Sequence, residues 1–171
     1  MLLFLQTLPQ KRAAWLLLAF TALILELCAL YFQHVLDLAP CVMCVYERLV
    51  IVGLLFAGLL GAIDPKITII RWAAFALWGY SAVRGIFLAI EHVDYQFNPS
   101  AFNTCDFFPN FPTWAPLHEW MPWMFHPTGD CSDASWTMLS YTMPQWLVFA
   151  FVLYISAFIV VISSSLFTKN K

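Results

Sequence analysis

Apolar residues gather along this chain into four long runs, at residues 14–32, 44–63, 71–90 and 144–163. Each is long enough to cross a hydrocarbon layer as an α-helix, which takes about 20 residues. Polar positions fall between the runs, in two short links and one long segment. The pattern predicts a single integral membrane domain over residues 1–171, with four spanning helices and two outer loops, 33–43 and 91–143. The long loop holds Pro99, Pro109, Pro112, Pro116, Pro122 and Pro127, and such proline density forbids long regular elements. Within it, residues 117–121 followed by 122–125 read as a short interfacial helix or turn lying on the bilayer.

Composition strengthens this reading. Of 171 residues, 62% are apolar and 11% charged, with a mean hydropathy of +0.77. Soluble domains carry nearer ~25% charge, so the expected fold class is an all-α membrane protein. Nothing basic or repetitive points to nucleic acid. The first run follows Lys11 and Arg12 like the start of a signal peptide. Its apolar stretch is too long for one and no small-x-small cleavage site follows, so a retained helix is expected.

Charge sets the expected orientation. Lys11, Arg12, Lys66, Arg71, Lys169 and Lys171 share one side, while loop 91–143 has no Lys or Arg but six acidic residues. Basic connections stay in the cytoplasm, so both termini are expected there and the cysteine loops outside, in an oxidising compartment.

A few interior residues break the apolar pattern. Glu26 must face the bundle or a hydrated cleft, either as a packing residue or on a proton path. Cys28 is expected to be a small buried side chain. Arg84 is expected to pair with a buried carboxylate or carbonyl, on one stripe with Leu88 and His92. Gly53, Gly58 and Gly61 suit close helix approach.

The chemistry concentrates in Pro40-Cys41-Val42-Met43-Cys44-Val45-Tyr46-Glu47-Arg48. The pure apolar run after it, Leu49 to Ile63, has 15 residues and spans roughly 22 Å, short of a core of ~30 Å. The helix must therefore draw Tyr46, Glu47, Arg48 and Cys44 down to the membrane boundary. Cys105 and Cys131 lie in the long loop. Four outward thiols allow three pairings, and the Cys-x-x-Cys spacing favours 41 with 44, leaving 105 with 131.

Position 45 is Val, which excludes a c-type haem motif. A four-thiolate zinc site uses two close knuckles, whereas the second pair here is widely spread, so no metal is expected. A non-catalytic scaffold stapled by disulfides is the competing reading. It suits Cys105–Cys131 better than Cys41–Cys44, whose four-residue ring constrains little chain. Cys44 in the first helical turn is expected to gain thiolate character from free backbone N–H groups and the helix dipole, with Arg48 one turn further in. A thiolate donating two electrons at membrane depth suits a quinone, for which Glu47 and His92 are candidate proton handlers.

These residues, together with Tyr80-Ser81-Ala82-Val83-Arg84-Gly85, Glu91-His92, Cys105-Asp106-Phe107, Gly129-Asp130-Cys131 and Met143-Pro144-Gln145-Trp146, resemble the bacterial disulfide-bond formation protein B (DsbB) family over nearly the whole chain. The resemblance implies a multi-pass protein of the bacterial inner membrane that reoxidises a soluble periplasmic dithiol oxidase of the DsbA type. It implies attack by that partner on Cys105–Cys131, with a mixed disulfide at Cys105. Electrons would pass to Cys41–Cys44, and from Cys44 to ubiquinone or menaquinone held beside Arg48 and His92.

Overall fold

The computed structural model describes residues 7–98 and 105–168, with side chains to 165. Pro99, Lys169 and Lys171 lie outside the described residues. After a 3-10 turn at Leu8–Gln10 come α1 (Arg12–His34), α2 (Val42–Ile63) and α3 (Thr68–Phe97). Two four-residue helices, α4 (Leu117–Trp120) and α5 (Pro122–Phe125), interrupt the long loop. A two-residue hairpin, β1 (Thr137–Met138) and β2 (Tyr141–Thr142), leads into α6 (Met143–Thr168). The strands pair antiparallel, Thr137 opposite Thr142. Four helices, α1, α2, α3 and α6, are long and apolar enough to cross a membrane. The protein is an all-α, four-span bundle with an irregular cysteine-bearing loop.

Helix α3 runs past the expected end at Ile90. Residues 91–97 contain no glycine or proline, and the first breaker is Pro99, which disfavours helix at the residue before it. Its 30 residues span about 45 Å against a core of ~30 Å, so the helix is about 15 Å longer than the apolar layer is thick.

The helices pack in an arc: α1 on α2, α2 on α3, α3 on α6. The first and last helices scarcely meet. Tyr154 Oη–H donates to Thr21 Oγ1 (3.1 Å), and the Leu8–Gln10 turn touches both helices at the end away from the cysteines. Beyond that bond, towards the cysteine end, α1 and α6 part.

Small residues set the close approaches. Trp15 sits over Gly61, its rings 5.0 Å from Phe75, and its Nε1–H donates to the Pro9 carbonyl (2.9 Å). Phe151 of α6 lies against Gly85 of α3. A methyl group at Gly58 would stand 2.5 Å from the backbone nitrogen of Ala19 and 2.8 Å from its Cα. At Gly79 the obstruction is the tip of the Phe158 ring, at 2.9 Å.

The two glycines therefore separate backbone from side-chain crowding. Gly58→Ala forces α1 away from α2 and should cost about 1–3 kcal/mol, whereas the Phe158 ring can swing aside for Gly79→Ala. Thermal unfolding in detergent should show a clearly larger loss of midpoint for Gly58→Ala; equal losses would contradict this packing.

Candidate redox site

Cys41 is the N-cap of α2. Its backbone is extended (φ −84°, ψ 175°), and its sulfur accepts the N–H of Cys44 at 3.3 Å. The free N–H of the first turn, expected to serve Cys44, is thus spent on Cys41. The reason is geometric: a capping side chain reaches the amides two and three residues ahead, whereas a first-turn side chain points away from them. The two sulfurs are unbonded and 3.1 Å apart, while Cys105 and Cys131 form a disulfide.

Cys41 also meets α3. His92 Nε2 lies 3.4 Å from Cys41 Sγ, and His92 Nδ1 lies 3.1 Å from Glu47 Oε1. An ionised carboxylate only accepts, so Nδ1–H donates to Glu47 and Nε2 faces the sulfur. All three residues are buried. The sequence placed His92 and Glu47 at this level. Their mutual contact, and their grip on Cys41, come from α2 and α3 packing.

Arg48 turns the other way, towards α1. Its Nε is 3.2 Å from Glu26 Oε1, a charge contact outside hydrogen-bonding geometry. Its Nη1 donates to Gln33 Oε1 (2.6 Å) and to the Met124 carbonyl of α5. Glu26 is therefore the counter-charge of Arg48. Glu26 and Gln33, seven residues apart, share a face of α1, a signal the sequence carried without naming the cation they answer.

Two interior expectations do not hold. Arg84 is exposed and has no hydrogen-bonding or ionic partner among the described residues; it lines a groove between α2 and α3 with Tyr80 and Glu91. Eight residues turn a helix about 80° beyond two full turns, enough to bury His92 while Arg84 stays outside. Cys28 is exposed rather than buried, on the α1 face that α6 leaves open.

A cavity of about 460 Å³ fills the space between α1 and α6 at this end. Cys41, Cys44, Glu47, Arg48 and His92 form one polar wall, the loop adds Asp130 and Asp133, and the faces of α1 and α6 are largely hydrocarbon, as at Phe32 and Leu147. Cys44 is half-buried on this wall, whereas Cys41 is 2% exposed. The site thus has an apolar side door.

The long loop is tied down over the cysteines. Thr128 and Gly129 N–H both donate to the Pro40 carbonyl (2.8 and 3.0 Å). A side chain at Gly129 would overlap the Ala39 carbonyl oxygen. Gln96 of α3 donates to the Asp133 carbonyl (2.9 Å). Cys131 is thereby packed in one buried cluster with Cys41, Met43 and Leu88, against which Cys44 and Cys105 rest. Ser132 donates to Asp130 from both its N–H (2.8 Å) and its hydroxyl (2.7 Å), which holds that carboxyl below the usual range. Helices α4 and α5 do form, but they do not simply lie on a bilayer. Met124 and Phe125 are buried against Val45, while Trp120 and Trp123 stay exposed.

The arrangement places four sulfurs in sequence, from the loop disulfide through Cys41 to Cys44 at the cavity. The family model for disulfide bond formation protein DsbB matches residues 11–161. The chain belongs to the DsbB family. Its relatives named disulfide bond formation protein B include one from Psychromonas ingrahamii, 61% identical over 99% of this chain and 92% of that protein. Another, from Aeromonas salmonicida, is 59% identical over 94% of this chain and 93% of that protein. One from Yersinia pestis is 52% identical over 100% and 96%. Family membership and the four apolar helices make this a multi-pass membrane protein of disulfide bond formation, and a disulfide oxidoreductase.

Gly129→Ala should lift the loop off Pro40 and draw Cys131 away from Cys41. Misplacement near 1 Å costs on the order of 100-fold in reactions that need alignment. Reduced Cys105 and Cys131 should then pass electrons to Cys41–Cys44 at least tenfold more slowly, as read by quenched alkylation and mass mapping. An unchanged rate would show that the tie does not position Cys131.

Proposed function

We propose that this protein reoxidises a soluble periplasmic dithiol oxidase of the DsbA type and passes the electrons to a membrane quinone, ubiquinone or menaquinone. The observation that carries this reading is the wall of the side cavity, where the half-buried Cys44 stands beside Arg48 and His92 and faces the largely hydrocarbon sides of α1 and α6. A lipid-dissolved ring fits such a wall: an arginine guanidinium for an oxygen, the His92 ring beside it, and apolar side chains for its faces. When bound, the quinone supplies a sink for two electrons and two protons.

The protein's own steps follow from the order of the sulfurs. A thiolate of the reduced partner attacks Cys105, breaking the bond to Cys131 and forming a mixed disulfide. The partner's second thiol then displaces Cys105, so the partner leaves oxidised and Cys105 and Cys131 are left as thiols. Cys131 attacks Cys41 of an oxidised Cys41–Cys44 pair, and Cys44 departs as thiolate on the cavity side. Cys105 next displaces Cys41 from Cys131, which restores the loop disulfide and leaves Cys41 and Cys44 reduced. Re-forming the Cys41–Cys44 bond releases two electrons through Cys44 and two protons. His92, oriented by Glu47, is placed to hold the proton of Cys41, and Arg48 supplies positive charge at the cavity wall.

The charge pattern supports a bacterial inner-membrane location, with both termini in the cytoplasm and the cysteine loops in the periplasm.

Purified protein given a quinone should oxidise a reduced DsbA-type partner, and Cys44→Ser should abolish turnover; full turnover in that variant rules out Cys44 as the donor. Arg48→Ala should raise the quinone KM at least tenfold. Removing one member of a buried pair also costs stability, about 3–5 kcal/mol. The informative comparison is therefore Arg48→Ala with Glu26→Gln at matched folded fractions. Only Arg48→Ala should shift KM strongly; equal shifts would make the arginine structural.

A further inference from the structure

Three donor atoms, from two thiols and an imidazole, converge at this site. Cys41 Sγ is 3.1 Å from Cys44 Sγ and 3.4 Å from His92 Nε2, and the three atoms lie within 4.8 Å of one another. Tetrahedral zinc, with Zn–S near 2.3 Å and Zn–N near 2.0–2.1 Å, holds its ligand atoms roughly 3.5–3.8 Å apart. The sulfur–imidazole spacing already matches. The sulfurs must open by ~0.7 Å and Cys44 Sγ, within 4.8 Å of His92 Nε2, must settle to the same tetrahedral spacing; Cys44 borders the cavity, which leaves its side chain room to turn.

The support behind the imidazole is also that of a metal ligand. A coordinating histidine usually donates its other ring N–H to a carboxylate, which fixes the ring and its lone pair. Glu47 does this for His92 at 3.1 Å, with both side chains buried. Charge near the site points the same way. Asp130 and Asp133 line the same cavity and favour cation entry.

We propose that the reduced form of this site binds one zinc ion through Cys41 Sγ, Cys44 Sγ and His92 Nε2, with Glu47 orienting the histidine. Soft thiolate donors select zinc over magnesium or calcium. The donor set differs from a four-thiolate site, since the loop cysteines take no part, and the fourth position faces the cavity and takes water. Binding expels the two thiol protons and leaves the oxidation state of sulfur unchanged. A zinc-bound pair can neither close its disulfide nor donate electrons, so the ion holds the centre reduced and idle. This does not depend on what accepts the electrons.

The test uses full-length protein in detergent with Cys28→Ala, Cys105→Ser and Cys131→Ser, so that Cys41 and Cys44 are its only thiols. After reduction it should bind one zinc per chain by equilibrium dialysis, and cobalt should give the absorption of a tetrahedral thiolate site. The same protein with Cys41–Cys44 oxidised should bind none at that affinity. Glu47→Gln should weaken zinc binding about 10–100-fold, and His92→Ala should weaken it further. In the reduced wild-type protein, zinc should protect Cys41 and Cys44 from alkylation, a readout that needs no substitution. Equal zinc binding by oxidised and reduced forms, or unaltered affinity in a folded His92→Ala variant, overturns the proposal.

Discussion

Two adjacent charges on α2 govern how this bundle is assembled. Glu47 and Arg48 are neighbours in sequence, so their side chains leave the helix about 100° apart. Each is buried where an unanswered charge is expensive, and each must find a partner on a different neighbour. Glu47 finds His92 on α3, and Arg48 finds Glu26 and Gln33 on α1 together with the Met124 carbonyl of α5. Rotating α2 would break both sets at once. The pair thus fixes the azimuth of the helix that carries Cys41 and Cys44, and the placement of the sulfurs follows.

The protein's chemistry depends on a division of labour between those sulfurs. Cys41 is enclosed: it caps its helix, meets an imidazole, and packs beside the loop disulfide. Cys44 is half-open, on the wall of a hydrocarbon cavity. One sulfur faces the loop disulfide and the other faces the cavity between α1 and α6. A single helical turn separates the two environments.

Much of this was legible in the chain, for identifiable reasons. Apolar runs of spanning length announce themselves, and the four runs are the four helices long and apolar enough to cross a membrane. Spacing alone separated Cys41 and Cys44 from Cys105 and Cys131. What sequence could not supply was rotation about a helix axis and the depth of neighbouring helices. Hence Arg84 and His92 were put on one stripe although 80° of drift parts them. Hence also Cys28 was thought enclosed, because nothing in the chain says that α6 stands away from α1. Glu26 was visible as an anomaly, but its partner lies on another helix. The extension of α3 lies beyond the apolar run because residues 91–97 mix polar side chains with Val93, Tyr95 and Phe97, while the absence of glycine and proline there lets the helix continue.

The gap between the first and last spans has one more consequence. Among the described residues α1 and α6 stand apart at the cysteine end, and the segment before α6 reaches across, with Trp136 against Phe32 (4.9 Å). Whatever medium fills the remaining gap touches Cys44, so replacing bilayer by detergent would change the surroundings of that sulfur without moving a protein atom. On the proposed function, fluidity, headgroup size and lateral pressure of the host membrane would then become variables of the oxidation.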